Sequence, residues 1–318
     1  MTSRPRTGAP SGDAPVSFPP DPNPKKPRLR MPPGAWDTHF HIVGPPHVFP
    51  YTENRWHTPP AAPVEHYLAV AKVLGFERGC VVQPSAHGSD PAVTLDAIKK
   101  SDGRLCGMIR ADPALEDSDI RKLHAAGIRG VRIELRTERR GASGHGTEQD
   151  PRKQDGTFEG ERFDRIVAQA ARFNWVVALH IDPATLIRLA GVFGRMPTQT
   201  IIENFASIDA CLGVDQPALR TLVDIAREPH IWLKTASTYR MRYAGATEDQ
   251  IRAVAVTVHS QVTDRTIWGT DWPHPGVFTP GKMPNDGDLV DQLLDFVPDE
   301  AARRRLLVDN PKRLFDFS

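Results

Sequence analysis

Two widely separated segments of the chain combine histidine and aspartate in patterns that suit metal binding or proton transfer. His39 and His41 lie in the run Trp-Asp-Thr-His-Phe-His, and Asp271 lies in the run Trp-Gly-Thr-Asp-Trp-Pro-His-Pro. Side chains two residues apart on a β-strand point to the same side, so His39 and His41 can chelate one ion. A fold that joins its first and last strands would add Asp271 to this pair.

Polar residues also follow other apolar runs of the chain. In a (β/α)8 barrel the catalytic side chains lie at the carboxyl ends of the strands, so these residues predict one pocket there. His180 would join His39, His41 and Asp271 in a set of ligand types that suits a first-row metal. The other polar residues at predicted strand ends are Ser85, His87, Arg110, Asp112, Arg132, Glu134, Arg136, Asp182, Glu203, Asn204, Lys234, Thr235, Arg240 and His274.

Several histidines and tryptophans outside these positions are expected to have structural roles. The histidines fall within predicted helices or before a strand, where packing at the surface or in loops is the simpler role. They are His124, His145, His230 and His259. The tryptophans are expected to belong to the core or to the pocket wall, and they are Trp175, Trp268 and Trp272.

Eight short apolar runs alternate with segments of helical periodicity from residue 34 onward. Apolar strands separated by helices are what a parallel sheet covered on both faces requires. Helix boundaries are marked by Gly75 and Gly127, and by the pairs Asp90-Pro91 and Asp182-Pro183. The runs cover residues 35–43, 79–83, 105–109, 130–135, 175–180, 200–204, 231–235 and 266–270.

Eight strand and helix units over about 280 residues predict an α/β fold, a (β/α)8 TIM-like barrel. A doubly wound open sheet is the competing architecture, but the first strand lacks the glycine-rich turn that cradles a pyrophosphate. We predict a single barrel domain over residues 34–318. Residues 1–33 hold ten of the thirty prolines and almost no large apolar residues, which predicts a flexible or draped arm.

The composition excludes several classes of function. Forty basic and thirty-nine acidic residues give a formal net charge of +1, so no overall field attracts nucleic acid or anionic lipid. No run approaches the ~18 apolar residues of a membrane span. The three cysteines, Cys80, Cys106 and Cys211, are widely spaced, which indicates buried thiols rather than disulfides. We predict a soluble, cytoplasmic protein that acts on a small molecule.

The segment of residues 136–158 carries many charges and glycines and almost no apolar residues. It follows the fourth predicted strand, so a barrel would place it on the catalytic rim. A lid or substrate-gripping loop is one interpretation, and a solvated surface insertion is the other. The sequence leaves both open.

Four parts of the chain together form a recognisable pattern, and they are Asp-Thr-His-Phe-His-Ile at 37–42, residues 82–90, Arg132 and residues 267–275. They resemble the amidohydrolase superfamily (amidohydrolase-related family 2), and most of all the branch of 2-pyrone-4,6-dicarboxylate lactonase and related lactone hydrolases. The resemblance extends from about residue 32 to 317. It implies a distorted (β/α)8 barrel that hydrolyses a small carboxylated lactone, such as 2-pyrone-4,6-dicarboxylate or a sugar-acid lactone.

The same resemblance implies a role for each matching residue. Asp271 would act as general base on water, with His39 and His41 as the electrophilic pair. His180 lies outside the resemblance and is a further catalytic candidate because of its place at a strand end. Forked guanidinium groups suit substrate carboxylates, which makes arginines the expected anion grips. The candidates for substrate binding are Ser85, His87, Arg132, Asn204, Arg240 and His274.

Two departures from the family pattern leave the substrate and the cofactor open. His180 ends the fifth strand, where the lactonases have no histidine, and Asn204 stands where they have a sixth-strand histidine. Ser207 replaces an expected arginine. With the first-strand and eighth-strand residues, His180 completes the ligand set of zinc-dependent decarboxylases of the superfamily, so a metal-dependent decarboxylase or another amidohydrolase-type hydrolase is the alternative. The predicted cofactor is therefore none, or one divalent zinc or manganese ion.

Overall fold

The computed structural model describes residues 14–53, 55–135 and 160–315, so the loop predicted over 136–158 and His145 lie outside the described residues. Eight parallel strands follow one another around the sheet in chain order. They are β1 (Trp36–Phe40), β2 (Arg78–Val82), β3 (Leu105–Arg110), β4 (Ile128–Leu135), β5 (Val176–Ile181), β6 (Thr200–Ile202), β7 (Ile231–Lys234) and β8 (Thr266–Ile267).

Helices connect the strands and cover the outside of the sheet. Their ends follow the predicted chemistry: Asp182 accepts a hydrogen bond from the Thr185 amide at 2.8 Å, and Gly75 ends the first helix with φ 92°. The helices are α1 (Val64–Leu74), α2 (Ala92–Lys100), α3 (Asp117–Ala125), α4 (Glu161–Arg172), α5 (Pro183–Phe193), α6 (Pro217–Ile225), α7 (Thr238–Tyr243), α8 (Glu248–Gln261), α9 (Asp286–Asp291), α10 (Leu293–Phe296), α11 (Glu300–Arg304) and α12 (Asn310–Phe315).

The sheet closes through hydrogen bonds between β1 and the residues that follow β8. Thr38 N donates to Trp268 O at 3.0 Å, and Asp271 N donates to His39 O at 2.8 Å. The first and last strands are therefore neighbours, and the prediction of a TIM-like barrel is confirmed. All eight predicted strands are present, although β6 and β8 are only three and two residues long.

An apolar cluster fills the inside of the barrel, and a larger cluster packs the strands against the helices. The inner side chains come from alternate strand positions, as the pleat requires. Polar residues two positions further along the same strands therefore lie on the inner face, at the carboxyl end of the barrel. The inner cluster consists of Trp36, Cys80, Cys106, Met108, Val176, Ala178, Ile201, Trp232, Ile267, Leu314 and Phe315.

The structure corrects one expectation about the cysteines. Cys80 and Cys106 are buried as predicted, but Cys211 is exposed because it lies in the short turn Ala210–Leu212 outside the sheet. In the ranges given above, no helix is long and apolar enough to cross a membrane.

Residues 14–33, the described part of the proline-rich segment, lie against the barrel. Lys25 N donates to Asn285 Oδ1 at 2.9 Å. The buried carboxylate of Asp291 accepts hydrogen bonds from the amides of Arg28 and Leu29 at 2.7 and 3.0 Å. These bonds attach the segment to α9 and to the residue that precedes it.

His259 lies on the buried face of α8, so the prediction of a surface or loop-packing role is wrong for this residue. The periodicity of α8 turns His259 inward with Ile251, Val254 and Ala255. Burial lowers the pKa of His259 to about 4, because the charged ring would lose its hydration.

We expect His259 to make the fold sensitive to acid. In the unfolded chain the ring takes up a proton near pH 6.5, whereas in the folded protein it does so only near pH 4, so stability is lost as the pH falls through this window. The loss should approach about 3 kcal/mol. Urea unfolding at pH 7 and pH 4.5 should show a smaller loss in His259→Leu than in the parent. The control His66→Gln, at an exposed site on α1, should behave like the parent.

Candidate active site

Three of the predicted residues meet at the carboxyl end of the barrel. His39 Nε2 lies 3.4 Å from Asp271 Oδ1, and His41 Nε2 lies 3.3 Å from the same oxygen. All three side chains are buried, and their ligand atoms lie within 4.8 Å of one another. The prediction that the His-x-His pair points both rings to one side is confirmed.

An irregularity in β1 aims these rings into the barrel. Trp36 belongs to the inner apolar cluster, and strict alternation would turn His39, three residues later, to the outside. The pairing register of β1 with β2 shifts between Asp37 and Phe40. One extra residue at this point restores the inward direction for His39 and His41, which is the usual effect of a β-bulge beside an active site.

The hydrogen bonds of His41 determine which of its nitrogens faces the site. Nδ1 lies 2.7 Å from the Val82 carbonyl oxygen, which can only accept, so Nδ1 carries the proton. Burial lowers the pKa of His41 although Asp271 opposes this effect, so the ring is neutral at neutral pH. Nε2 therefore directs a lone pair at Asp271 Oδ1. Two acceptors at 3.3 Å require a proton or a cation between them.

Asp271 offers only one of its two carboxylate oxygens to the site. Oδ2 accepts from Ser237 Oγ and Tyr239 Oη, both at 2.6 Å, and from Arg240 Nη2 at 3.2 Å. Burial alone would raise the pKa of Asp271, but the charge of Arg240 together with the neighbouring His39 and His41 holds the pKa well below its usual range. Oδ1 is thus the ionised oxygen available for chemistry.

Glu203 lies behind His39 in a cluster with two cations. Its Oε1 is 3.4 Å from His39 Nδ1 and 3.2 Å from Lys234 Nζ, and its Oε2 accepts from Arg132 Nε at 2.7 Å. Burial would raise the pKa of Glu203, but the charges of Arg132 and Lys234 hold it well below its usual range. We call Arg132, Glu203 and Lys234 the charge cluster.

Neither Glu203 nor Lys234 received a specific role from the sequence, although both were recognised at strand ends. The alternation of side chains along a strand does indicate where these two residues point. Ile201 and Trp232 belong to the inner apolar cluster, so the residues two positions later must also point inward. Those residues are Glu203 and Lys234.

His180 lies beside the charge cluster. Arg132 Nη2 is 2.9 Å from His180 Nδ1, and Glu134 Oε1 is 3.8 Å from the same nitrogen. Among the described residues, the group whose ligand atoms lie within 4.8 Å of one another contains His39, His41 and Asp271 without His180. The fourth member of the predicted ligand set therefore stays a prediction.

The three grouped residues could bind a metal ion. Two imidazole nitrogens and one carboxylate oxygen are ligands that zinc and manganese accept. The far nitrogen of each ring is also placed as metal sites require, with His41 Nδ1 on a carbonyl and His39 Nδ1 facing Glu203. The donor set thus fits one divalent ion.

A family model for amidohydrolases matches residues 36–317. The chain belongs to the amidohydrolase family. It is 40% identical to 4-sulfomuconolactone hydrolase of Hydrogenophaga intermedia, over 91% of this chain and 90% of the relative. It is 32% identical to 2-pyrone-4,6-dicarboxylate hydrolase of Comamonas testosteroni, over 92% and 93%. An apo crystal structure of an Agrobacterium tumefaciens protein matches with a TM-score of 0.77 at 25% identity, over 92% of this chain and 99% of that one.

Two predicted substrate contacts of this amidohydrolase lie behind its site. His87 is 3% exposed, and both its nitrogens hold the loop after β1, with Nε2 accepting from Gly44 N and Nδ1 on Pro50 O, each at 3.3 Å. His274 is fully buried, with Nε2 3.1 Å from Asp286 Oδ1. Their assignment to substrate binding stays a prediction.

The other predicted contacts lie nearer the mouth. Arg240 touches Asp271 with a side chain that is 35% exposed. Ser85 Oγ accepts from Trp56 Nε1 at 3.2 Å. Asn204 follows β6 and begins a turn, Asn204–Ser207, in which four successive non-glycine residues have φ between 52° and 55°. Such left-handed backbone is strained, and it is typical of functional sites.

Gly269 permits the residues that follow β8 to approach β1 closely. A Cβ atom at this position would lie 2.4 Å from His39 N and 2.6 Å from His39 Cβ. We expect Gly269→Ala to cost at least about 2 kcal/mol in unfolding free energy and, by displacing His39, to lower kcat about 10²-fold. Thermal unfolding and substrate turnover measure the two effects.

The matched control for this substitution is Gly191→Ala in α5. There the new Cβ would meet only the flexible end of Arg195 at 3.6 Å, and alanine is the better helix former. This variant should be as stable as the parent or slightly more stable. Equal behaviour of the two variants would contradict the close contact of Gly269 with His39.

Proposed function

We propose that this amidohydrolase opens a small lactone that carries an acidic group, a sulfonate or a carboxylate. The observation that carries the proposal is the single ionised oxygen of Asp271, which faces two histidine nitrogens beside a partly exposed arginine. The names of the two relatives, a sulfomuconolactone hydrolase and a pyrone-dicarboxylate hydrolase, support the same substrate class.

The reaction needs a base, a stabilised oxyanion and a proton for the leaving group. In our proposal Asp271 Oδ1 takes one proton from water while the water oxygen attacks the lactone carbonyl carbon. The negative charge that develops on the carbonyl oxygen is stabilised by donors at the strand ends. The ring C–O bond then breaks, and the proton on Asp271 passes to the ring oxygen, so that lactone and water become one open-chain hydroxy acid.

The charges around the pocket favour an anionic substrate. In the ion pairs of Glu203 and Asp271, three cations, Arg132, Lys234 and Arg240, face two carboxylates. The positive charge left over in these pairs is poorly solvated, so it attracts an anion more strongly than it would in water. Arg240 is the cation with the most exposed side chain among the three, which makes it the proposed partner of the acidic group.

We further propose one divalent ion, zinc or manganese, held by His39, His41 and Asp271. When bound, such an ion polarises a carbonyl group and lowers the pKa of bound water towards ~7. Val82 O and Glu203 lie beside the far nitrogens of the two rings, and these contacts would orient the rings toward the ion.

Ring opening of three lactones tests the substrate class. Purified protein should consume 4-sulfomuconolactone or 2-pyrone-4,6-dicarboxylate and release one proton per ester bond, with a kcat/KM at least about 10²-fold above that for δ-valerolactone, which has no acidic group. Hydrolysis of δ-valerolactone alone would contradict the acidic substrate. Failure to hydrolyse any of the three would contradict the proposal of a lactone hydrolase.

Removal of the metal provides a separate test. Protein purified without chelators should contain about one zinc or manganese ion per chain, and dialysis against a chelator should abolish both the ion and turnover. Adding the ion back should restore both. The control His66→Gln should retain the ion, whereas His41→Asn should lose it. Full activity of the metal-free protein would contradict the metal requirement, but it would not contradict the proposal of a lactone hydrolase.

A further inference from the structure

Part of the N-terminal segment joins two loops at the carboxyl end of the barrel. We call residues 14–18 the strap. Ser17 N donates to Thr58 O at 3.1 Å, in the loop after β1. Phe18 N donates to Val277 O at 2.9 Å, in the loop after β8. In a barrel the loops after the first and last strands are neighbours on the catalytic face, so the strap connects them where the site opens.

The loop after β8 also positions Arg240. We call residues 274–278 the rim segment. Pro275 O in this segment accepts a hydrogen bond from Arg240 Nη2 at 2.9 Å, and the same nitrogen donates to Asp271 Oδ2 at 3.2 Å. Arg240 is therefore held between Asp271 and the rim segment. The position of its guanidinium group depends on where the rim segment lies.

Other neighbours hold the rim segment on either side of this bond. His274 Nε2 lies 3.1 Å from Asp286 Oδ1 on α9. Gly276 packs so closely that an added Cβ would lie 2.2 Å from the Trp56 ring. Beyond Gly276, the strap binds Val277 O. The strap thus holds the rim segment two residues after the carbonyl group that binds the arginine.

The strap contributes little to the stability of the barrel. Val16 and Phe18 are 71% and 40% exposed, and Ser17 is the one buried residue in the strap. Burial of apolar surface is the main favourable term in folding, and ordering a segment costs conformational entropy. The bonds of the strap to the two loops are backbone hydrogen bonds, which order the loops and do not fill the core. We therefore expect the barrel to stay folded when one of these bonds is lost.

We propose that the strap is a positioning segment for substrate recognition. It holds the rim segment, and through Pro275 O it holds Arg240 where the acidic group of the substrate binds. This inference rests on the proposed function, which assigns the acidic group to Arg240. Loss of the strap should weaken binding of an acidic lactone more than it affects the chemistry, because Ser237 and Tyr239 still hold Asp271 Oδ2 at 2.6 Å.

Phe18→Pro tests the proposal because it removes the N–H group that donates to Val277 O. In this variant KM for an acidic lactone should rise about 10-fold, whereas kcat/KM for δ-valerolactone should stay within about 2-fold of the parent. Phe18→Ala is the first control, since it removes the ring but keeps the N–H group. Val16→Pro is the second, since in this parallel pair the Val16 N–H group points away from Thr58. Both controls should keep the KM of the parent.

Hydrogen exchange measures the strap itself and needs no lactone. In the parent the Thr58 amide should exchange slowly, because it donates to Pro15 O at 2.9 Å. In Phe18→Pro the peptides that contain Thr58 and the rim segment should exchange at least about 10-fold faster. The two controls should exchange like the parent. Thermal unfolding verifies that each variant is folded.

Several results would overturn the proposal. They are an unchanged KM in Phe18→Pro, an equal loss for the acidic lactone and δ-valerolactone, the same change in Phe18→Ala, and unfolding of Phe18→Pro, which would make the strap a requirement of the fold. Fast exchange of Thr58 in the parent would overturn it without any variant. If the parent opens none of the lactones, the proposed function fails. Faster exchange in Phe18→Pro would then still support the strap as the support of the rim segment, and unchanged exchange would reject both.

Discussion

Replacing Asp271 by asparagine is expected to lower kcat for lactone hydrolysis by about 10³-fold while the protein stays folded. The amide oxygen can replace Oδ2 and accept from Ser237 and Tyr239. The amide NH₂ then replaces Oδ1 and can donate to the lone pair of His41 Nε2. The hydrogen bonds are kept, but no ionised oxygen is left to take the proton from water.

The experiment compares kcat, KM and thermal unfolding of Asp271→Asn with those of the parent. The matched control is Asp215→Asn, the same chemical change at an exposed position before α6, which should leave all three quantities unchanged. A metal content that falls together with kcat would further indicate that Oδ1 is a ligand. Turnover at the level of the parent would exclude Asp271 as the base.

The barrel could be predicted because each strand is a continuous apolar run and each helix has its own period. These are local signals, and they recovered all eight strands. Two features were not local. β8 ends at Ile267 because the next residues pair with β1 through an irregular set of bonds. The register shift in β1 depends on β2, and the sequence of one strand does not contain it.

The meeting of His39, His41 and Asp271 could be predicted because a closed barrel makes its first and last strands neighbours. Glu203 and Lys234 were harder to assign. Charged side chains are expected at the surface, and they are tolerated inside only when long-range contacts pair them. Here those contacts join β6 to β4 and β7, which no local pattern records.

The substrate contacts show the same limit. His87 follows a strand, as a catalytic residue would, but the loop after β1 folds over it and uses both ring nitrogens. Loop conformation has no period, so the sequence gives the strand end and not the direction of the side chain. Arg240 differs from His87 in its exposure. Its side chain remains 35% exposed at the mouth of the pocket, and its guanidinium group contacts Asp271.

Replacing Arg240 by methionine is expected to raise KM for an acidic lactone by about 10- to 100-fold, the loss of one charge-assisted hydrogen bond to the substrate anion. The same change should also lower kcat, because Arg240 Nη2 donates to Asp271 Oδ2 at 3.2 Å and its charge holds the pKa of Asp271 low. Arg240→Lys keeps the charge without the forked donors and should recover only part of the loss.

A lactone without an acidic group separates the two roles of Arg240. If Arg240 binds the substrate anion, Arg240→Met should lower kcat/KM for the acidic lactone much more than for δ-valerolactone, because only the former loses a partner. If Arg240 only anchors Asp271, both substrates should lose the same factor. The control Arg220→Met, at an exposed position of α6, should change neither. An equal loss for both lactones would assign recognition of the acidic group to another residue and leave Arg240 as the anchor of the base.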